Sequence, residues 1–501
     1  MNINILDYLE TSVDKLSDKV AYADSSVEIT FYELMRSSKA LASKILKLNA
    51  FKRPVAVYMP KCVNAIVSFL AAAYSGNFYT PIDYEMPLQR IQSIVDTLDP
   101  VVLITDKESL EKARHINSSA TIIVFEDAVS TDIAENRLSD IRKLMIDTDP
   151  LYVLFTSGST GTPKGVTICH RSVINYIEWV SDTFKITENE RFGNQAPFYF
   201  DNSVLDIYCT LRNGSTMFII PSQLFSFPIK LIEYLDEKKI NVVFWVPSAM
   251  CLVANLRALQ AKLPKHLRKI LFAGEVMPNK QLNIWRKHIP HALYANLYGP
   301  TEITVDCTYY IIDREFRDDE PLPIGVPCRN SDVFLLNDQN KLVAQDEIGE
   351  ICVRGTSLAL GYYNAPEKTA EVFVQNPLNP AYPEIIYRTG DLAKYNERGE
   401  IIYLSRKDFQ VKHMGHRIEL GEIEAAVNSI ERVNLCACLY DSVKSRLVLV
   451  YQGQADKIYI TERMKMNLPN YMIPSQFIQL DEIPFNANGK IDRLKLKDIV
   501  L

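Results

Sequence analysis

Leu151-Tyr152-Val153-Leu154-Phe155-Thr156-Ser157-Gly158-Ser159-Thr160-Gly161-Thr162-Pro163-Lys164-Gly165 is the stretch from which this chain is read. Its first five residues are an apolar run of strand length, and the rest is hydroxyls, glycines, a proline and a lysine. Glycines let a backbone turn its N–H groups toward an anion, hydroxyls add donors, and the lysine adds positive charge. A polyphosphate needs that combination. No Gly-Lys-Ser/Thr follows at Walker spacing, and Ser159 lies between Gly158 and Thr160, so a nucleophile elbow is excluded.

Further apolar, β-branched runs lie on both sides of this stretch, at residues 55–60, 101–106, 121–127, 216–221, 241–247 and 269–275. Helix-like patterns such as 228–239 separate them. The alternation predicts an α/β body built on mainly parallel, doubly wound sheets. Beyond about residue 320 the pattern changes, and residues 332–355 read as hairpins of a smaller β subdomain. Residues 405–427 read as a hairpin running into a helix. A boundary is expected at Asp408, giving a body over 1–407 and a small α+β cap over 408–501.

Composition narrows the function classes. The chain has 501 residues, 47% hydrophobic and 23% charged, which excludes wholesale disorder. A net charge of −6 argues against holding nucleic acid through bulk positive charge. The longest apolar candidate, 65–74, is broken by Ser68 and too short for a membrane span. Asp7 and Glu10 argue against a secretory signal. Nine scattered cysteines, with Cys436 and Cys438 lacking a second ligand pair, read as reduced thiols in a cytoplasmic protein.

The glycine-hydroxyl stretch resembles the signature of the adenylate-forming superfamily, which joins acyl-CoA synthetases, luciferases and amino-acid adenylation domains. Further motifs of that family follow in order: Asn296-Leu297-Tyr298-Gly299-Pro300-Thr301-Glu302, Tyr387-Arg388-Thr389-Gly390-Asp391, and Arg406-Lys407-Asp408-Phe409-Gln410. Gly415-His416-Arg417-Ile418-Glu419-Leu420-Gly421-Glu422, residues 468–474 and Asn488-Gly489-Lys490-Ile491-Asp492-Arg493 complete the set. The resemblance implies ATP and Mg2+. Thr156, Ser157, Gly158, Ser159, Thr160, Gly161 and Lys164 would cradle the phosphates. Gly274, Glu275, Asn296, Leu297, Tyr298 and Gly299 would hold the nucleotide, and Asp391 and Arg406 the ribose. Thr301, Glu302 and Lys490 would serve catalysis, with Glu302 as the magnesium ligand. Asp408 would be the hinge and Gly415 part of a thiol tunnel.

These assignments suit the residues' own chemistry. Tyr298 offers a flat face to a purine and Asn296 an amide to its edge. Glu302 is a hard oxygen donor of the kind magnesium takes. Asp391 can accept from two ribose hydroxyls. The ammonium of Lys490 would neutralise charge as a carboxylate attacks the α-phosphate.

The stretch 198–206 resembles amino-acid adenylation domains, in which the first aspartate, here Asp201, grips the substrate α-ammonium. Carried over position by position, the side-chain pocket would be Asn202, Leu205, Phe244, Leu271, Ala273, Leu297, Val305 and Asp306. Bulky apolar walls predict a small substrate, and Asp306 predicts a polar partner, either a group on the substrate or a protein cation; with the first, serine is expected, then D-alanine, glycine or threonine. Residues 195–208 and 272–278 look most like D-alanine–carrier-protein ligases, but Ala273 replaces their usual cysteine and Asp306 has no counterpart in them. His413 and His416 lack further ligands for a metal. With no carrier motif before Leu501, the acceptor is expected to be a separate phosphopantetheinylated carrier protein, and the enzyme a monomer. The alternatives are an acyl-CoA ligase of the same fold, against which Asp201 weighs, and a catalytically silent nucleotide-binding module, against which the retained Lys490, Glu302 and Asp391 weigh.

Overall fold

The structure, a computed structural model, describes residues 2–157, 163–407, 410–485 and 491–500. By their internal contacts these fall into two units, one of residues 1–84, 98–154 and 165–407, the other of 85–97, 155–164 and 408–501.

The first unit is α/β. A nine-stranded sheet has at its centre the parallel strands Leu293–Tyr298, Lys269–Phe272, Val242–Trp245, Arg191–Asn194 and Thr216–Ile219, in that spatial order. The chain leaves Arg191–Asn194 for Thr216–Ile219 on one side, then crosses to Val242–Trp245 on the other and continues outward. That reversal is a topological switch point, where open α/β sheets bind ligands at the carboxyl ends of their strands. A seven-stranded sheet contains the parallel strands Pro54–Tyr58, Phe78–Ile82, Val102–Thr105 and Thr121–Val124. All five residues of Pro54–Tyr58 are buried, as expected of a parallel strand covered on both faces. The apolar stretch at 65–74 belongs to the helix Val63–Tyr74, buried at every position except Asn64. Its hydrophobicity serves the protein core, and among the described residues no helix is long and apolar enough to cross a membrane.

The run at 121–127 ends as a strand at Val124, and Phe125–Ala128 turns into a short helix, a change that its apolar composition did not signal. The hairpin expected at 332–355 is the antiparallel pair Ser331–Leu336 and Gly349–Gly355, in a sheet with Ile385–Tyr395 and Ile401–Arg406. All nine cysteines are free thiols, seven of them buried.

The second unit is α+β. The strands Val433–Asp441, Arg446–Gly453 and Gln476–Gln479 form its sheet, covered by Leu420–Asn428 and Lys457–Asn467 around a core that includes Ile423, Leu449 and Met464. Arg90 and Glu422, both buried, form an ion pair within it.

Candidate active site

In the first unit, neighbouring parallel strands carry Phe244, Leu271 and Leu297, and the segments after their carboxyl ends carry Asp201, Ala273, Thr301 and Glu302. The loop after Arg191–Asn194 ends in Asp201, just before the helix Asn202–Asn213. Asp201 is 8% exposed, and its side chain makes no capping hydrogen bond to that helix. Strand register sets Phe244 beside Leu271, and Leu271 beside Ala295. Leu297, two residues beyond Ala295, shares its face. Leu205, Phe244, Leu271, Ala273, Leu297 and Val305 all belong to one buried apolar cluster, which also contains Tyr176. Strand register thus sets Phe244 and Leu271 side by side, while the other apolar residues share the same large core. Gly274 adopts a φ of +92°, and a Cβ there would lie 4.0 Å from the Asn202 amide nitrogen, so Asn202 borders the same loop.

The turn after Leu293–Tyr298 is the most constrained part of the site. A Cβ on Gly299 would lie 2.4 Å from the Val305 carbonyl oxygen and 2.6 Å from the Asp306 Cα, so only glycine fits. Val305 has a φ of +69°, and the Asp306 N–H donates across it to the Thr304 carbonyl at 3.0 Å. A β-branched residue at the centre of such a γ-turn is strained. Thr301 and Glu302 lie in the short turn Thr301–Ile303. Glu302 is fully buried and accepts from the Tyr362 hydroxyl at 2.7 Å. Asp306, 2% exposed, accepts from the Tyr176 hydroxyl at 2.6 Å. Burial first, and Asp306 second, push the Tyr176 phenol far above its ordinary range, so it stays a donor.

Asp391 and Arg406 are direct cross-strand partners. The Arg406 guanidinium donates to one Asp391 oxygen at 2.9 Å and to the Thr389 carbonyl at 3.2 Å. The Tyr298 hydroxyl donates to the other Asp391 oxygen. Each carboxylate oxygen keeps a second lone pair, which is what a pair of ribose hydroxyls requires. The Asn296 amide donates to the Pro323 carbonyl at 2.8 Å, leaving its oxygen for another partner. Glu275 accepts from the Ser248 N–H at 2.8 Å, at the start of the helix Pro247–Asn255.

In the second unit, Thr156 ends the strand Pro150–Thr156 and its hydroxyl has no hydrogen-bond partner among the described residues. The Ser157 hydroxyl donates to the Arg417 carbonyl, and Lys164 opens the strand Lys164–Cys169. Met414 and Gly415, with φ of +52° and +81°, form the two-residue turn between Gln410–His413 and His416–Glu419. The His416 ring stacks on Tyr471 at 3.4 Å, and burial, then His413, push its imidazole down to about 3. Gly158, Ser159, Thr160, Gly161, Asp408 and Lys490 lie outside the described residues. Tyr176 and Tyr362 were not anticipated from sequence. A tyrosine in an amphipathic helix and one beside a glycine carry no local signal, and each meets its partner only through the fold.

The α/β body, with buried Asp201, Glu302 and Asp391, has the fold of adenylation domains. The chain belongs to the AMP-binding enzyme family, which it matches over residues 9–363. It is 30% identical to tyrocidine synthase 1 of Brevibacillus parabrevis over 99% of its own length and 45% of that protein's, so it spans less than half of that relative. It is also 30% identical to the D-alanine--D-alanyl carrier protein ligase of Bacillus licheniformis, over 99% of this chain and 100% of the other. Among solved structures, the Vibrio cholerae adenylation domain AlmE, in complex with glycyl-adenosine-5'-phosphate, superimposes with a TM-score of 0.85. That match covers 100% of this chain and 98% of the other at 21% identity, and establishes the fold.

Proposed function

We propose that the protein activates a small amino acid as its aminoacyl-adenylate and then passes the aminoacyl group to the phosphopantetheine thiol of a separate carrier protein. The observation that carries this reading is Asp201, a buried carboxylate at the switch point that caps no helix and borders an apolar cluster. An α-ammonium is a natural partner for a buried carboxylate, a role that a fatty or aryl acid cannot fill. Full-length similarity to a D-alanine--D-alanyl carrier protein ligase supports the same class of reaction.

In the first half-reaction the amino acid's carboxylate oxygen attacks the α-phosphorus of ATP, a new P–O bond forms, and pyrophosphate leaves. Lys490 would meet the charge that builds on the attacking and α-phosphate oxygens, where stabilisation is largest in the transition state. Asp391, held by Arg406 and Tyr298, fixes the ribose. Glu302 suits magnesium, being a buried hard-oxygen donor, and the ion would offset phosphate charge when bound. In the second half-reaction the thiol attacks the acyl carbonyl and AMP leaves. We assign the turn between the two steps to a hinge at Asp408, with residues 1–407 as body and 408–501 as cap, bringing Gly415 into place of Lys490.

Leu205, Phe244, Leu271 and Leu297 are bulky and buried, which favours a substrate with a short side chain. Tyr176 donates to one oxygen of Asp306, and a carboxylate has about four acceptor positions, which supports a hydroxyl-bearing substrate in this reading. Serine is therefore placed first, with D-alanine, glycine and threonine behind it. The test is pyrophosphate exchange with a panel of D- and L-amino acids, in wild type and in Asp201→Ala. Exchange with a small amino acid that collapses in the variant supports the reading. Exchange only with free small acids that lack an amino group, followed by acyl transfer to CoA, would favour an acyl-CoA ligase, and no exchange with any acid would favour a silent nucleotide-binding module.

A further inference from the structure

We propose that Lys61 is a positioning residue for the amino-acid site, holding the loop that ends in Asp201. The inference rests on the amino-acid reading above. Lys61 follows Pro54–Tyr58 of the seven-stranded sheet, yet its ammonium reaches the edge of the other sheet's switch point. There it donates to the Gln195 carbonyl at 3.0 Å, the Asn194 side-chain oxygen at 3.1 Å and the Ala196 carbonyl at 3.4 Å. An ammonium has three protons, and three oxygens converge on it. These are the residues at which the chain leaves Arg191–Asn194 and enters the loop 195–201.

The Asn194 amide nitrogen donates in turn to Asp206 Oδ2 at 2.8 Å, on the helix Asn202–Asn213. The second oxygen of Asp206 has no hydrogen-bond partner among the described residues. One polar chain, Lys61–Asn194–Asp206, therefore grips the start of the loop and ties it to the helix at the loop's far end. Asn194 is also the register partner of Phe244, so the chain of groups lies directly beside the pocket.

Stability alone is a poor reason for this arrangement. Burial lowers the Lys61 ammonium to about 8 and raises the Asp206 carboxyl to about 8, so both charged forms are disfavoured where they sit. Apolar side chains of similar volume often replace such buried polar groups without loss. What the chain provides, and apolar packing does not, is a fixed direction for the carbonyls from which the Asp201 loop starts. Lysine is suited to this because its stem crosses the gap between the sheets while its head saturates three acceptors.

The test uses Lys61→Met, which keeps the stem and removes the ammonium. In pyrophosphate exchange the KM for the amino acid should rise about tenfold or more while the KM for ATP stays within about twofold. Lys61→Arg restores a cation but not all three bonds, and should give an amino-acid KM raised only about threefold. Should Lys61→Met fail to fold, Lys61→Arg carries the same test with that smaller shift. Equal changes in both KM values, or an unchanged amino-acid KM in a folded variant, would overturn the proposal. A wild-type enzyme that exchanges with no amino acid would instead overturn the reading on which it rests.

Discussion

Gly299→Ala adds one methyl group at the tightest point of the site. The new carbon would sit 2.4 Å from the Val305 carbonyl oxygen and 2.6 Å from the Asp306 Cα, both backbone atoms that no rotamer change can move. Ordinary contact begins near 3.4 Å, so the turn that carries Glu302, Val305 and Asp306 must retreat by about 1 Å. Overpacking of that kind costs about 1–3 kcal/mol, which lowers the melting temperature by several degrees and leaves the protein folded. The catalytic loss should be far larger, because a displacement of about 1 Å can cost about a hundredfold in rate. The strained turn at Val305 has little freedom to absorb the shift. Circular-dichroism melting and pyrophosphate exchange on the same preparation separate the two effects. A folded Gly299→Ala enzyme with kcat/KM within about twofold of wild type would refute the argument that this backbone contact shapes the site.

Further expectations follow from other parts of the site. Asp306→Ala should lower kcat/KM for serine selectively and raise alanine's relative standing, read from exchange with each amino acid. Asp408→Pro should impair thioester formation much more than adenylation, because restricting φ at the hinge hinders only the later step; an equal loss in both half-reactions of a folded variant would remove the hinge assignment. His170 is fully buried, and burial, then Arg142, push its imidazole down to about 3 from an unfolded value near 6.5. Between those values the unfolded chain binds the extra proton, so stability is lost as pH falls below about 6.5, amounting to about 2 kcal/mol at pH 5. His170→Gln should flatten the dependence of urea midpoint on pH across that window, and an unchanged slope would count against the burial argument.

How far the sequence carried the fold can be judged at particular residues. The strands Pro54–Tyr58 and Val242–Trp245 were legible because buried parallel strands must be continuous apolar runs. The helix Pro228–Glu237 was legible from its period and its initial proline. The order of strands was not, since nothing local tells Val242–Trp245 to cross back past Arg191–Asn194, and that crossing creates the switch point. Motif residues such as Asp391 and Glu302 were visible in sequence, but their partners were not. Tyr176 and Asp306 are 130 residues apart, and Tyr362 and Glu302 are 60 apart. The positive φ of Val305 runs against its own propensity, so no reading of residue type could place it. Lys61 gave no signal either, because a lysine after a strand is ordinarily solvated.

The central claim is that a carboxylate at position 201 selects an α-amino acid, and pairing each amino acid with its des-amino analogue tests it most directly. Labelled-pyrophosphate exchange would be measured with serine against 3-hydroxypropionate and with D-alanine against propionate, in wild type and in Lys490→Ala. The account predicts exchange with the amino acids, at least about a hundredfold less with the analogues that lack the ammonium, and near-complete loss in Lys490→Ala. Comparable exchange with the des-amino acids, or exchange unaffected by loss of Lys490, would contradict it.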